Sequence, residues 1–232
     1  MMVSCCTVCM GRLHHIKETL PRNLKSHLNW HGEFVLLDYN SQDGLREWVE
    51  TNLEDEIMSG RLTYYRTEDP QTFHMAHAKN VAHRVAKNEV VCNLDADNYV
   101  DAEFSQYLTD LFKKHPNSIT RGFGEHGFFG RVAVLKEHFE RLRGYDEDFE
   151  GWGYDDEDLV LRGQAMGLSI HDLPPQFAKV ICHPRQDRWE STRERNVQLS
   201  TANAAAGVIE VNRERRWGTA RLTNHFGEAF SV

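Results

Sequence analysis

The sequence lacks the features that would indicate a membrane, secreted or repetitive protein. No stretch of its 232 residues approaches the roughly 18 consecutive apolar residues that a membrane span requires. Met1 leads directly into an apolar, strand-like segment and not into a secretory signal, so we expect a cytoplasmic protein. There is also no internal repeat, low-complexity tract or linker. These absences together predict a single domain with a substantial core.

Cysteine is scarce, and its arrangement excludes two kinds of site. The five cysteines form neither the two C-x-x-C pairs of a zinc site nor the framework of a disulfide-rich secreted domain. Cys5, Cys6 and Cys92 lie in apolar runs, Cys9 directly follows one, and Cys182 closes another. We therefore expect buried free thiols.

Positive charge is in deficit, because the formal net charge is −8. The excess of acid lies before residue 179, since residues 179–232 carry nine Lys and Arg against six Asp and Glu. This distribution argues against a broad nucleic-acid-binding surface, although it permits a local phosphate-binding patch. A basic aromatic cluster consists of Arg213, Arg215, Arg216 and Trp217. This cluster is either such a phosphate-binding patch or a solvated helix end.

The first hundred residues alternate short apolar runs with amphipathic segments, as in an α/β sheet with crossover helices. We predict strands over residues 3–8, 34–37, 62–65 and 90–92. Helical spacing predicts helices over residues 13–24, 45–53 and 78–85, with an interruption or a fresh start at Pro21.

The second half is less regular. Its pattern predicts helices over residues 104–112 and 159–166, and strands over residues 132–135 and 177–182. His183 then stands at the end of the last predicted strand.

The most informative motif is Asn93-Leu94-Asp95-Ala96-Asp97-Asn98, directly after an apolar run. The spacing points Asp95 and Asp97 to one face of an extended chain, where they repel each other unless a positive charge lies between them. One interpretation is that a divalent cation carrying a diphosphate supplies this charge. The alternative is that the motif is an exposed acidic loop and binds no cation. Asp38 also falls at a strand end, and ligands of open α/β sheets collect beyond such ends.

A second acidic segment favours the functional interpretation. Gly151-Trp152-Gly153-Tyr154 is followed by four acids in a row, Asp155 to Asp158. A carboxylate behind such a turn, near the start of a helix, can take a proton from an attacking hydroxyl. The alternative is a solvated helix N-terminus whose acids complement the helix dipole.

Together these motifs resemble those of the GT-A glycosyltransferases, enzymes that use nucleotide sugars and have a Rossmann-like core. The segment 37–44 is similar to the family 2 loop that meets the base, and Asp95-Ala96-Asp97 is similar to the D-x-D motif. Residues 151–158 resemble the W-G-x-E-D segment of the family 7 galactosyltransferases. The resemblance implies an α/β GT-A fold with a mixed central sheet flanked by helices.

The same resemblance implies how the chain is organised. Residues 1–232 would form a single GT-A domain. Within it, residues 1–98 would bind the nucleotide sugar, residues 99–189 would form the acceptor and catalytic half, and residues 190–232 would be a helical C-terminal extension.

The resemblance also implies a metal ion, Mn²⁺ or Mg²⁺. Asp97 would bind the ion directly, and Asp95 would reach the ribose or a metal-bound water. His183 lies 27 positions after Asp156, about where related enzymes place a histidine ligand, although a lone histidine can equally be structural or solvated. The ion would neutralise charge on the departing nucleoside diphosphate.

Matching the acidic segment to W-G-x-E-D implies the catalytic residues. Asp155 would contact a hydroxyl of the acceptor or donor, and Asp156 would be the general base. Related retaining enzymes carry Asn where Asp156 stands, so a carboxylate there favours inversion. The chain departs from the motif at two positions, because Asp155 replaces Glu and Tyr154 replaces a small residue.

The resemblance implies further contacts with the donor, although the motifs that carry these contacts are less specific. Lys79 and Asn80 resemble a basic-Asn pair that contacts the base or phosphate in family 2 enzymes, and they could also be a polar helix surface. Trp152 could be an apolar platform for a sugar or part of the core. The full set of expected donor-binding residues is Arg12, Asp38, Lys79, Asn80, Asp95, Trp152 and Arg185.

We therefore expect an inverting hexosyl- or pentosyltransferase that uses a nucleoside-diphosphate sugar, with UDP-sugar favoured. The acceptor stays open between a glycan, a lipid-linked sugar, a protein and a hydroxymethylated DNA base. One alternative is a sugar-nucleotide-forming nucleotidyltransferase, which would need a glycine-rich phosphate loop where this chain has Cys9-Met10-Gly11-Arg12. The other alternative is a non-catalytic module that binds a nucleotide or glycan.

Overall fold

The chain has a mixed α/β fold built around one large sheet. The computed structural model describes residues 1–27, 32–123, 128–182 and 190–232. The strands are β1 (Val3–Cys9), β2 (Glu33–Tyr39), β3 (Leu62–Thr67), β4 (Val90–Asn93), β5 (Asn98–Tyr99), β6 (Ser118–Arg121), β7 (Ala133–Leu135), β8 (Ser169–Asp172), β9 (Lys179–Val180), β10 (Arg221–Asn224) and β11 (Ala229–Ser231). The helices are α1 (Leu13–Ser26), α2 (Leu45–Asn52), α3 (Glu54–Met58), α4 (Met75–Val85), α5 (Ala102–Lys114), α6 (Lys136–Arg141), α7 (Asp155–Ala165) and α8 (Glu190–Ala205).

The main sheet has nine strands in the order β11-β10-β3-β2-β1-β4-β7-β6-β8. Strands β1 to β4 are parallel to one another, whereas β7 pairs antiparallel with both β4 and β6. The register places Cys9 beside Asp38, and Cys6 beside Asn93. The carboxyl ends of β1, β2 and β4 therefore lie at one edge of the sheet, where an α/β fold places its ligands.

Helices cover both faces of the sheet. Apolar side chains of α1, α2 and α5 pack on one face, and those of α4, α6 and α7 pack on the other. The four strands expected in the first hundred residues are present as β1 to β4. The mixed α/β class with a central sheet is confirmed. Within the described residues, no helix is both long and apolar enough to cross a bilayer.

The expected interruption at Pro21 is wrong, because α1 runs through this residue without a break. Ile16, Leu20 and Leu24 are buried in the core on the sheet face. The packing of this apolar stripe holds the helix together across the position where proline removes a backbone donor.

The strand expected over residues 177–182 is also shorter than predicted. Pro175 begins a short 3₁₀ helix, Pro175–Phe177, and only β9 follows it. This strand pairs antiparallel with β5 in a separate two-stranded sheet. Cys182 is exposed, whereas the other four cysteines are buried as free thiols, as expected.

Residues 190–232 contain one helix and then two strands. Helix α8 is followed by the hairpin β10–β11, which adds to the main sheet through antiparallel pairing of β10 with β3. The described chain beyond α8 thus extends the main sheet at β3, an arrangement that the sequence pattern did not predict.

Candidate active site

The two aspartates of the D-x-D motif follow β4, and each is held by a neighbouring asparagine. Asn93 Nδ2 donates hydrogen bonds to Asp95 Oδ1 (3.0 Å) and to the Gly130 carbonyl (2.7 Å). Asn98 Nδ2 donates to Asp97 Oδ1 (2.7 Å). Both asparagines are buried. The motif therefore presents two oriented carboxylates, and the flanking asparagines are functional candidates that sequence reasoning missed although they stand inside the motif.

The second acidic segment forms the first turn of α7. Tyr154 precedes the helix with a φ of 73°, and Asp155 and Asp158 are buried. Asp158 pairs with Arg162 at 2.6 Å and accepts a hydrogen bond from Ser200. A purely solvated helix end, the alternative interpretation of this segment, does not describe these two acids.

Lys79 of α4 binds the two expected catalytic carboxylates. Its Nζ atom donates to Asp155 Oδ2 at 2.6 Å and to both oxygens of Asp156 at 2.8 and 2.9 Å. Lys79 is only 1% exposed, and its ammonium group lies 5.0 Å from the ring centre of Tyr145. Lys79 was expected to contact the nucleotide, whereas its ammonium group lies against the two acids.

Gly130 shows that the two acidic segments meet. A Cβ atom added at this glycine would lie 2.4 Å from Asp95 Oδ2 and 3.3 Å from Asp156 Oδ2. The two carboxylates, which come from different halves of the sequence, therefore border the same gap, and only a glycine leaves it open.

Among the described residues, the carboxylates around the gap raise one another's pKa, and Lys79 opposes this. Burial raises the pKa of Asp95, and the neighbouring Asp97 carboxylate raises it further. The positive charge of Lys79 opposes this rise. Burial and the Asp155 carboxylate raise the pKa of Asp156 well above its usual range, and Lys79 offsets this only in part. Although burial opposes it, the attraction of Asp155 and Asp156 raises the pKa of Lys79. The Lys79 ammonium group therefore stays charged beside these carboxylates.

This donor set fits a divalent cation that prefers oxygen ligands. A cation beside Asp95 and Asp97 would offset the repulsion between these two carboxylates, and Mg²⁺ and Mn²⁺ commonly share carboxylate ligands with a diphosphate. In the described part of the chain, no three His, Cys, Asp or Glu side chains are grouped so as to hold a metal ion. His183, the expected third ligand, and Arg185 lie outside the described residues.

Asp38, expected to contact the nucleotide, makes its contacts within the protein. It is fully buried and accepts hydrogen bonds from the Ser41 backbone N–H (2.7 Å), the Tyr64 hydroxyl (2.8 Å) and the Arg66 guanidinium (2.5 Å). These contacts fix the start of the 37–44 loop. Contact of Asp38 with a nucleotide stays a prediction.

The rest of the 37–44 loop fastens the turn after β1. Ser41 Oγ accepts a hydrogen bond from the Gly11 N–H (2.7 Å), and Asp43 Oδ2 accepts one from the Leu13 N–H (2.8 Å). The intervening Arg12 is partly exposed, and its side chain forms no ion pair with a residue in the described ranges. Arg12 thus follows β1 at the carboxyl edge of the sheet, and its contact with a nucleotide stays a prediction.

Asn80 and Trp152 lie beside the acidic segment. Asn80 Nδ2 donates to the Tyr145 carbonyl (2.9 Å) and to Glu147 (2.8 Å), while its Oδ1 accepts from the Tyr145 N–H (2.8 Å). Asn80 therefore clamps the turn that leads to the acids. Trp152 is partly buried, and its backbone N–H and carbonyl both bond to the Thr192 hydroxyl of α8 at 3.3 Å.

A cavity of about 530 Å³ adjoins the loop before the acidic segment. Its lining carries three carboxylates but one arginine, and Arg195 is itself paired with Glu150 at 2.5 Å. The residues that line the cavity are His74, Glu147, Asp148, Glu150, Arg195 and Leu199.

Two arginines of the basic aromatic cluster near the end of the chain pair with acids, and its tryptophan is covered by another arginine. Arg213 lies 3.8 Å from Glu210, and Arg215 pairs with Asp148. The Trp217 ring stacks with the Arg84 guanidinium at 5.2 Å. The cluster is therefore a poor match to an extended phosphate-binding surface.

Comparison with known proteins relates part of the chain to a family. Residues 117–185 match the family described as the N-terminal domain of galactosyltransferase. Human beta-1,4-galactosyltransferase 4 is 30% identical over 108 residues, which are 44% of this chain. The matched segment spans only 31% of that relative's length.

Solved structures extend the likeness beyond this segment. A mannosyltransferase of Pyrobaculum calidifontis, in complex with GDP-Man and Mn²⁺, superposes with a TM-score of 0.68 at 22% identity, covering 88% of this chain and 64% of the other. GalNAc-T7 with UDP, GalNAc and Mn²⁺ superposes with a TM-score of 0.67 at 16% identity, covering 87% of this chain and 47% of the other. The chain thus has the GT-A fold of the glycosyltransferases and, in its middle, a segment related to the galactosyltransferases.

Proposed function

We propose that this chain is a metal-dependent glycosyltransferase that moves a sugar from a nucleoside-diphosphate sugar to an acceptor hydroxyl with inversion. The observation that carries the proposal is the gap at Gly130, bordered by Asp95 after β4 and by Asp156 at the start of α7. A UDP-sugar is the favoured donor, because GalNAc-T7 was solved with UDP and a relative is named a galactosyltransferase.

Asp156 is proposed as the general base. In an inverting transfer, a carboxylate removes the proton of the acceptor hydroxyl as its oxygen attacks the anomeric carbon opposite the leaving diphosphate. Lys79 supports this role because its ammonium group favours the ionised form of Asp156 and fixes both of its oxygens. Asp155 shares the same ammonium group and holds it in place.

Asp95 and Asp97 are proposed to hold Mn²⁺ or Mg²⁺, together with His183. When bound, the ion would supply positive charge to the leaving diphosphate. The protein's own part is to orient the two carboxylates through Asn93 and Asn98. Arg12 and Arg185 are proposed to contact the nucleotide or its phosphates.

The surroundings of the acids favour a glycan over DNA as the acceptor. The described lining of the neighbouring cavity carries Glu147, Asp148 and Glu150, and its one arginine, Arg195, is paired with Glu150, so this lining offers little attraction to a polyanion. Polar side chains of this kind can instead hydrogen-bond the hydroxyl groups of a sugar.

The proposal is tested by measuring UDP binding with and without Mn²⁺ or Mg²⁺ by calorimetry. A screen of nucleotide sugars for UDP or GDP release, with water and simple glycosides as acceptors, then identifies the donor. We expect metal-dependent binding and turnover with at least one donor. Absence of nucleotide binding with either ion would contradict the proposal, and binding without any turnover would favour a non-catalytic module.

Asp156→Asn tests the proposed base. Transfer should fall by roughly 10²–10⁴-fold, while the affinity for the donor stays close to that of the unchanged protein, because a base acts mainly in the transition state. Glu157→Gln is a matched control, since it removes the next acid in the same helical turn. Normal turnover by Asp156→Asn would remove this residue from the mechanism.

A further inference from the structure

Arg131 is a fully buried arginine that has no carboxylate within hydrogen-bonding distance in the described structure. It lies directly after Gly130, with its guanidinium between the rings of Phe104 (5.3 Å) and Phe128 (4.9 Å). Its Nε atom is buried without a hydrogen-bond partner among the described residues. Because buried arginines are normally paired with an acid, the position calls for an explanation in terms of what Arg131 holds.

The guanidinium of Arg131 contacts the D-x-D motif through Asn98. Nη2 donates to Asn98 Oδ1 at 2.8 Å. A guanidinium can only donate hydrogen bonds, so the amide oxygen of Asn98 must face it and the amide nitrogen must face the other way. That nitrogen donates to Asp97 Oδ1 at 2.7 Å. Arg131 therefore sets the orientation of Asn98, and Asn98 sets that of the Asp97 carboxylate.

The same guanidinium also contacts both strands of the two-stranded sheet or the residues next to them. Nη1 donates to the carbonyl of Phe177, just before β9, and Nη2 lies 3.2 Å from the carbonyl of Tyr99 in β5. Beyond β9, the Ile181 N–H donates to the Asp97 carbonyl at 2.8 Å. Arg131 thus fastens the segment that leads towards Cys182 against the backbone of the motif itself.

We propose that Arg131 is a positioning residue for metal binding. It acts through Asn98 on Asp97, and it holds the β9 segment, which continues in sequence to His183, against the D-x-D motif. This inference rests on the proposed function, because it assigns Asp97 to the metal ion. Its charge alone would oppose a cation at Asp97, since the guanidinium and the Asp97 carboxylate bind the same Asn98 side chain. A positioning role and a charge role therefore predict opposite effects.

The test uses Arg131→Lys, which keeps the charge and removes the planar fork, and Arg131→Met, which removes both. Mn²⁺ affinity is measured by titration in the presence of UDP, and cooperative thermal unfolding checks the fold. We expect Mn²⁺ to bind roughly tenfold more weakly or worse in both variants, as for other residues that orient metal ligands. Asn98→Leu, which breaks the relay without touching the arginine, should have the same effect.

The control is Arg121→Lys in β6, whose ion pair with Asp172 is partly exposed and which should bind Mn²⁺ like the unchanged protein. Unaltered Mn²⁺ binding by Arg131→Lys, or tighter binding by Arg131→Met, would overturn the positioning role. A wild-type protein that binds neither Mn²⁺ nor UDP would instead overturn the proposed function.

Hydrogen exchange gives a readout that needs no metal. Backbone amides of residues 98–99 and 179–181 should exchange faster in Arg131→Lys than in the unchanged protein, while those of β1 keep their protection. Unchanged exchange in these two segments would overturn the clamp, whether or not the protein binds Mn²⁺.

Discussion

Lys79 offers a quantitative test of the acidic cluster, because it is a buried ammonium group shared by two carboxylates. Lys79→Met keeps the length of the side chain but removes three hydrogen bonds of 2.6 to 2.9 Å. Asp155 and Asp156 would then be left without their positive partner. Removal of one member of a buried ion pair costs about 3–5 kcal/mol, so we expect a loss of this size in the free energy of unfolding.

Lys179 provides a matched control for this substitution. Its ammonium group lies 2.8 Å from Asp101, a distance like those at Lys79, but its side chain is 56% exposed. Exposed pairs contribute about 0–1 kcal/mol. Lys179→Met should therefore change stability little, and the difference between the two variants isolates the effect of burial.

Urea unfolding at pH 7 with a chelator measures both variants. In a background that carries Asp155→Asn, Lys79→Met should cost less than in the unchanged protein, by about 1–3 kcal/mol, because the two residues are coupled. The reasoning is refuted if Lys79→Met loses no more stability than Lys179→Met. Additive effects of Lys79→Met and Asp155→Asn would also refute it.

Two further predictions address the gap and the buried histidine of α4. Gly130→Ala places a Cβ 2.4 Å from Asp95 Oδ2, so the metal-dependent affinity for UDP, measured by calorimetry, should fall roughly tenfold. Unfolding should stay cooperative. Undiminished affinity would show that the ion binds elsewhere. Burial lowers the pKa of His83 to about 3, so only the unfolded chain gains a proton there as the pH falls below about 6.5, and stability is lost on the acid side. Between pH 7 and pH 5 the unchanged protein should lose about 2 kcal/mol more than His83→Leu in urea unfolding, and equal losses would contradict the assignment.

The parallel part of the sheet could be predicted from the sequence because its strands are continuous apolar runs. Strands β2 and β4 are buried along their whole length, and β1 is buried at every residue except Val8. Such runs stand out between amphipathic helices. The D-x-D motif follows directly from the end of β4, so its place at the carboxyl edge of the sheet could be predicted as well.

Short strands and distant contacts could not be predicted in this way. Strands β5 and β9 have two residues each, too few to show an alternating pattern, and they exist because Arg131 and the pairing of distant segments hold them. The hairpin β10–β11 is likewise fixed by its contact with β3, far away in the sequence.

The role of Lys79 shows the same limit at the site. Its position in an amphipathic helix with Asn80 beside it indicates a polar function, but nothing local identifies the partner. The acids that bind it lie 76 and 77 positions further along the chain. Both groups were recognised from the sequence as candidates, and only the fold brings them together.

Helix α4 has a consequence for engineering hybrid enzymes. Lys79 binds the start of α7, and Asn80, the next residue, clamps the turn at Tyr145. The helix belongs by sequence to one half of the chain, yet these two neighbouring side chains complete the other half. A chimera that joins the first 98 residues of one such protein to the remainder of another would therefore need compatible residues in α4 and α7, or the graft would leave acids without their cation.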